Sequence, residues 1–410
     1  MAKRWLPLAN LVFLLLLFTH SHSATHPADV AALRDIKNSL TDITSAAQFF
    51  STWDFSSAAD ADPCSSFAGV TCSASRVTIL TLGTGLSDSP GLAGTLPAAI
   101  ARLAALTQLI LFAGIVTGPI PPELAALRRL RVISLAGNRL TGAIPPEILR
   151  LPALHTLDLS RNRLSGAVPP PLAAAPQLKI LVLAGNRLTG EFPGDLPPQL
   201  LHLDLSSNLL TGELPAKLPA ALRYLSAANN RLRGSLSGSA LDPLSDLAYV
   251  DLSMNELSGP VPGPLLRRGV TSLLLQRNNF SGGLPESPPW EAVAGSTVDL
   301  SHNFLSGEVT AALAGVETLF LNNNRLSGGV AAEYAASVAA GTMKTLYLQH
   351  NYLTGFPLGV GSALPEAAAV CVSYNCMAAP PLGLAACPDS AGEQLSRPAY
   401  QCNGFHNSLD

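Results

Sequence analysis

An asparagine that returns at nearly constant intervals constrains this chain more than any other feature. Asn138, Asn162, Asn186, Asn208, Asn230, Asn255, Asn278, Asn303, Asn324 and Asn351 are separated by 24, 24, 22, 22, 25, 23, 25, 21 and 27 residues. Around each of them the leucines keep one phrase, as in LPALHTLDLSRNRLSGAVP at 151–169. Neither a helical three-and-four spacing nor a strict strand alternation produces it. Leu157 and Leu159 are two apart, the period of a strand, and share one face. Leu154 and Leu164 enter the same core from the turns on either side. Self-similarity at this period predicts a solenoid in which each unit contacts only its neighbours.

Each strand must be followed by a sharp turn, which leaves backbone groups unpaired inside the core. An asparagine amide both donates and accepts, so a stack of asparagines satisfies those groups, each bond contributing on the order of 1 kcal/mol. Gly166 permits a backbone conformation that a Cβ would hinder, and Pro169 presets φ for the next segment. Two weaker copies lie upstream, one at Leu106, Leu109 and Leu111 with Gly114 in the asparagine position, the other around Leu80–Pro97. Ala227 replaces an inward leucine and predicts a smaller core locally, and residues 331–342 predict a helix.

The flanks differ from the repeats. Lys3 and Arg4 precede an apolar run, Leu11 to Phe18, and a small, polar exit, which predicts a secretory signal peptide over 1–24. The run is too short to span a bilayer, which takes about 20 apolar residues. Six cysteines fall outside the repeats and predict disulfides in an oxidising compartment, with Cys64 and Cys72 as the N-terminal pair. Cys371, Cys376, Cys387 and Cys402 leave three connectivities open. The expected organisation is a cap over 25–76, repeats over 77–358 with ten clear units and up to twelve, and a C-terminal cap and tail over 359–410. A composition of 48% hydrophobic and 13% charged residues argues against disorder, and a net charge of −3 without basic runs against nucleic-acid binding.

The phrase L-x-x-L-x-L-x-x-N-x-L-x-G-x-[IVL]-P resembles the plant-type extracellular leucine-rich repeat family. The stretch ADPCSSFAGVTC at 61–72 is similar to the family's N-terminal cap, with Phe67 where tryptophan is usual, and Val30, Leu33, Ile36 and Leu40 suit a capping helix started by Pro27 and Asp29. The resemblance implies an α/β leucine-rich repeat solenoid, a curved right-handed superhelix with a parallel β-sheet on its concave face, a helical N-terminal cap and disulfide-capped ends. It also implies a secreted, apoplastic or cell-wall recognition protein. Such a protein would bind an extracellular protein or peptide in plant cell-surface signalling or defence, or serve a membrane receptor kinase, with no membrane span of its own. Two alternatives are an inhibitor of a wall-degrading enzyme, resembling polygalacturonase inhibitors, and a structural wall protein.

Candidate site residues are those facing outward between and after the paired leucines. Asp158, Asp204, Asp251 and Asp299 form a row of carboxylates, but they lie on alternate repeats about 10 Å apart. That is too far for a general acid–base pair, and LDLS is ordinary wording for the repeat. The C-terminal strands instead present Leu274, Phe320 and Tyr347, flanked by Gln276, Arg277, His302, Asn322, Gln349 and His350, a composition suited to partner binding. Ile110 and Val182 belong to a more dispersed set. No catalytic, metal or cofactor motif is present, so no enzymatic role and no cofactor are expected. Asn279, in the sequon Asn279-Phe280-Ser281, is the expected glycosylation site.

Overall fold

The computed structural model describes residues 24–43, 48–56, 62–85, 91–170, 172–266, 269–284, 293–358, 364–378, 380–381 and 387–406. The signal-peptide segment, apart from Ala24, lies outside the described residues. Fourteen short strands follow one another in sequence order in one sheet, from Val70–Ser73 to Ala369–Cys371. The first two are antiparallel, and all later neighbours are parallel. Leu157 lies in register with Ile133 before it and Leu181 after it, so the inward side chains stack into a continuous column. Leu154, Leu157, Leu159 and Leu164 are all fully buried, and the apolar cluster they join runs from Ala32 to Met377.

Most coils leave this sheet through the asparagine turn and form a second, flanking strand. These strands pair in a group from Thr117–Gly118 to Arg187–Thr189 and another from Arg233–Ser235 to Tyr352–Gly355. Short 3₁₀ turns close several coils on the back, as at Ala98–Arg102 and Pro122–Ala126, where a proline ends extended chain and presets φ. One coil carries the helix Ala332–Ala339 instead, anchored by buried Tyr334, whose hydroxyl donates to Thr310 O at 2.8 Å.

From Asn162 to Asn351 every asparagine of the series makes the same contacts, while Asn138 at the start reaches Phe112 O instead. Asn162 Oδ1 accepts from Leu140 N of the preceding coil at 3.0 Å, while its Nδ2 donates to Leu135 O at 2.9 Å and to Leu159 O at 3.1 Å. One rung went unread in the sequence. Asn375 repeats the pattern, fully buried, accepting from Leu353 N and donating to Leu348 O and Val372 O. At the other end a Cβ on Gly114 would lie 2.6 Å from Leu92 O, so the backbone there leaves no room for a rung. Gly166 takes φ +82°, the left-handed region that glycine enters without steric cost. Ala227 is fully buried in the leucine column.

The residue before each asparagine is also left-handed, even where it has a side chain. Arg161, Ser207, Asn229, Met254, Arg277, His302, Asn323, His350 and Tyr374 have φ between 53° and 61°. A left-handed residue costs roughly 1–2 kcal/mol, a penalty that the buried amide bonds beside it offset.

The ends are closed by different means. The helix Pro27–Ser39 covers the first coil through Ala32, Leu33 and Ile36, and Leu40 beyond it is also buried. Its start is capped by His26 rather than by Asp29. Asp29 is instead wholly buried, accepting from Arg76 Nε, Arg76 Nη2 and Val77 N at 2.9–3.0 Å. Phe67 fills the usual tryptophan position by stacking on Trp53, ring centroids 5.3 Å apart. Cys64 bonds Cys72, Cys371 bonds Cys387, and Cys376 bonds Cys402. Arg397 of the C-terminal cap lies over the rings of Tyr352 and Tyr374 and donates to Asn351 O.

Asn351→Ala strands the buried Leu326 N and removes one of two amide donors from Leu321 O and Leu348 O, which Asn324 and Asn375 still reach. At about 1–3 kcal/mol for a buried unsatisfied group, stability should fall by about 2 kcal/mol in urea unfolding. Exposed Asn279→Ala, one residue past a rung, should change it by less than about 0.5 kcal/mol. Equal effects would remove the ladder from this account.

Candidate functional site

Because the inward positions are taken by leucines and asparagines, chemistry is confined to side chains that leave the concave sheet outward. In each coil these are the residue before the first paired leucine, the residue between the pair, and the two residues before the asparagine. Register keeps each class in a column: Leu274 opposes Asp251 on one side and Asp299 on the other, and Phe320 opposes Asp299 and Tyr347.

The C-terminal part of this face brings together most of the residues singled out above. The rings of Phe320 and Tyr347 meet edge-on, centroids 5.2 Å apart. Beside them Asn322 and Gln349 are 9% and 2% exposed. The Oε1 atoms of Gln276 and Gln349 are buried with no hydrogen-bond partner. A buried amide oxygen without a donor costs about 1–3 kcal/mol. His302 Nε2 lies 3.5 Å from Asn323 Nδ2, and His350 Nε2 contacts Ala391 O at 3.0 Å. His350 is thus engaged with the cap. Arg277 is exposed in the turn, and Leu274 stands apart from the aromatic pair, with Asp299 between them.

The aspartates have a structural task. Oδ1 of Asp158, Asp204, Asp251 and Asp299 accepts the backbone N–H of the serine two residues on, at 2.9–3.0 Å. Burial raises the pKa of Asp299 from its ordinary value, against the opposing pull of its Ser301 hydrogen bonds, His302 and Arg277. No group of three or more His, Cys, Asp or Glu is arranged to hold a metal among the described residues. No described helix is long and apolar enough to cross a membrane.

One constellation escaped the sequence reading. His202, Tyr224 and Tyr249 occupy the first outward position of three consecutive strands. Their rings stack with centroids 4.0 and 4.4 Å apart and planes within 4° and 3° of parallel. Burial pushes the hydroxyl pKa of both tyrosines up, helped by Asp204 at Tyr224 and Asp251 at Tyr249. The signal was available: each aromatic immediately precedes the first leucine or valine of its pair. Separated by 22 and 25 residues, the three read as unrelated until the coils are stacked.

Comparison with known proteins places these features in context. The leucine rich repeat N-terminal domain matches residues 26–73, and leucine rich repeats match 128–188 and 199–220. Among solved structures, the PEPR1–AtPEP1 complex is 28% identical, covering 85% of this chain and 52% of that one, with a TM-score of 0.66. The plant peptide hormone receptor RGFR1 in complex with RGF2 is 25% identical, covering 70% and 50%, with a TM-score of 0.59. A plant ice-binding protein is 26% identical, covering 82% and 97%, with a TM-score of 0.57. This chain therefore spans about half the length of the chains matched in these two complexes. No curated protein sequence matches it.

Burial lowers the pKa of His202, His302 and His350. The unfolded chain then binds more protons than the folded one as pH falls past the ordinary histidine value near 6.5. The associated stability is present above that value and lost below it. The unfolding midpoint should drop between pH 7 and pH 5, and His202→Gln should flatten the drop. Asp299 acts in the opposite sense, so the difference between the two proteins isolates His202; an unchanged slope would contradict a buried neutral imidazole.

Proposed function

We propose that this chain, which belongs to the plant-type extracellular leucine-rich repeat family, is a binding protein that receives an extended peptide on the C-terminal part of its concave face. The observation that carries this reading is the partly exposed Phe320–Tyr347 pair, with the unpartnered amide oxygen of Gln349 on the coil of Tyr347 and that of Gln276 two coils before Phe320. An extended peptide offers a backbone N–H at every residue, which either glutamine would accept by turning its buried oxygen outward. The two glutamines are three coils apart, about 14 Å at the spacing of parallel strands, which about four extended residues cover. Leu274 and the two aromatic rings supply the apolar contact that anchors such a ligand.

The likeness to a plant peptide hormone receptor supports a signalling role. The disulfides support an extracellular location, in the apoplast or cell wall after removal of residues 1–24. A membrane receptor kinase is the partner that would carry the signal inward. Asn279, exposed on a flanking strand, is the proposed glycan site, and a glycan there leaves the concave face open.

A second reading rests on the whole-length likeness to a plant ice-binding protein. The first flanking sheet displays exposed Thr117, Thr141, Ser165 and Thr189, one hydroxyl per coil. Between them stand Arg139, Arg163 and Arg187, also exposed, and these charges interrupt the hydroxyl surface. Growth of ice crystals in the presence of the protein separates the readings: shaping or arrest of crystals would favour the second.

The peptide reading is tested by capture from plant extracellular fluid, followed by identification of eluted peptides. The variant combining Leu274→Ala, Phe320→Ala and Tyr347→Ala should bind the recovered peptide on the order of a hundredfold more weakly, since a buried anchor costs about 2 kcal/mol or more when truncated. Retention of a wall-degrading hydrolase would favour the inhibitor alternative. Salt-resistant retention in the wall would favour a structural one. Equal peptide binding by both proteins would remove the site.

A further inference from the structure

The His202–Tyr224–Tyr249 stack ends abruptly. On the next coil the position in register with Tyr249 is Ser272, and after it comes Thr297. One ring face of Tyr249 is therefore without an aromatic neighbour among the described residues. The gap above Ser272 is one coil wide, about 4.8 Å, and the existing rings stack at 4.0 and 4.4 Å. One planar group continues the column.

The surroundings of that gap carry charge. Leu274, on the same coil as Ser272, lies in register between Asp251 and Asp299. A group over Leu274 has a carboxylate about one strand spacing away on either side, and Ser272 lies two residues, about 7 Å, back along the strand. Gln276, further along the coil, holds one of the two buried amide oxygens without a donor. Among the described residues neither aspartate forms an ion pair; Arg277 and His302 act on Asp299 from a distance.

We infer that the space between Tyr249, Ser272 and the Asp251 and Asp299 carboxylates is a slot for an arginine side chain of the peptide ligand. The inference rests on the concave-face reading above and names the chemistry it selects. A guanidinium is planar enough to stack on Tyr249 and carries the charge that the two carboxylates call for. Lysine meets the carboxylates as a point charge but does not continue the stack. A neutral aromatic continues the stack and leaves both carboxylates without a cation.

The test uses arrays of synthetic random heptapeptides whose central residue is fixed as Arg, Lys, citrulline or Tyr, probed with the secreted, disulfide-bonded protein. The Arg set should be retained at least tenfold better than each of the other three. Ser272→Tyr, which extends the protein's own stack into the slot from an outward-facing position, should abolish that preference. Asp299→Asn, which keeps the acceptor for Ser301 N, should weaken it and serves if the first variant fails to fold. A wild-type protein that retains all four sets equally, and loses them all in the Leu274, Phe320 and Tyr347 triple variant, overturns the slot and leaves the concave site standing. No retention of any set overturns both. An Arg preference unchanged by Ser272→Tyr places the arginine elsewhere and overturns the slot.

Discussion

The buried asparagine amide is the interaction on which the rest of this structure depends. A coil of 21–27 residues that turns back over a leucine core cannot pair its turn backbone internally. Each asparagine solves this by bonding across coils, taking an N–H from the coil before it and giving its own N–H groups to carbonyls of that coil and its own, as Asn186 does with Leu164, Leu159 and Leu183. Because one side chain serves two coils, no unit is complete alone. Stability in such an array is a sum of neighbour terms rather than a property of a single core. The ladder has to end somewhere, and the two ends are where the repeat wording fails. Gly114 has no space for a rung, and beyond Asn375 the cap takes over with two disulfides and the Arg397 sandwich.

That constraint also explains why the solenoid was readable and its surface was not. Periodic leucines and asparagines have one physical task each, so their spacing specifies the sheet, the turn and the inward face before any coordinates are known. Asn375 was missed because valines replace its leucines and a cysteine, Cys371, stands between them, although the interval of 24 from Asn351 was regular. The left-handed residue before each asparagine was equally hidden. Only Gly137 and Gly185 hint at it, and elsewhere ordinary side chains are forced into it by the bonds on either side. Disulfide connectivity lay beyond reach because it is decided by how the cap folds back, which no spacing of four cysteines states.

Outward positions carry no such task, and their meaning comes from neighbours that lie a whole coil away in sequence. Phe320 and Tyr347 read as two isolated apolar residues until register places them edge to edge. His202, Tyr224 and Tyr249 read as nothing at all, yet they form the flattest aromatic contacts among the described residues. The unpaired oxygens of Gln276 and Gln349 were beyond any sequence argument, since burial without a partner is a property of the assembled face.

The aspartate row shows how a structural residue is turned into part of a site without changing its own role. Asp204 and Asp251 flank Ser226 as Asp251 and Asp299 flank Leu274, with the same register and the same serine contact at Oδ1. The two frames differ in the adjacent column. On the coil of Ser226 the neighbouring outward residue is Tyr224, whose ring is sandwiched between His202 and Tyr249, and Ser226 is left only 3% exposed. On the coil of Leu274 the equivalent residue is Ser272, and both it and Leu274 remain partly exposed. One frame is filled by the protein's own ring and the other is open to a planar group from outside. A single outward residue, rather than the carboxylates that attract attention in the sequence, decides which of two equal charge pairs is available to a ligand.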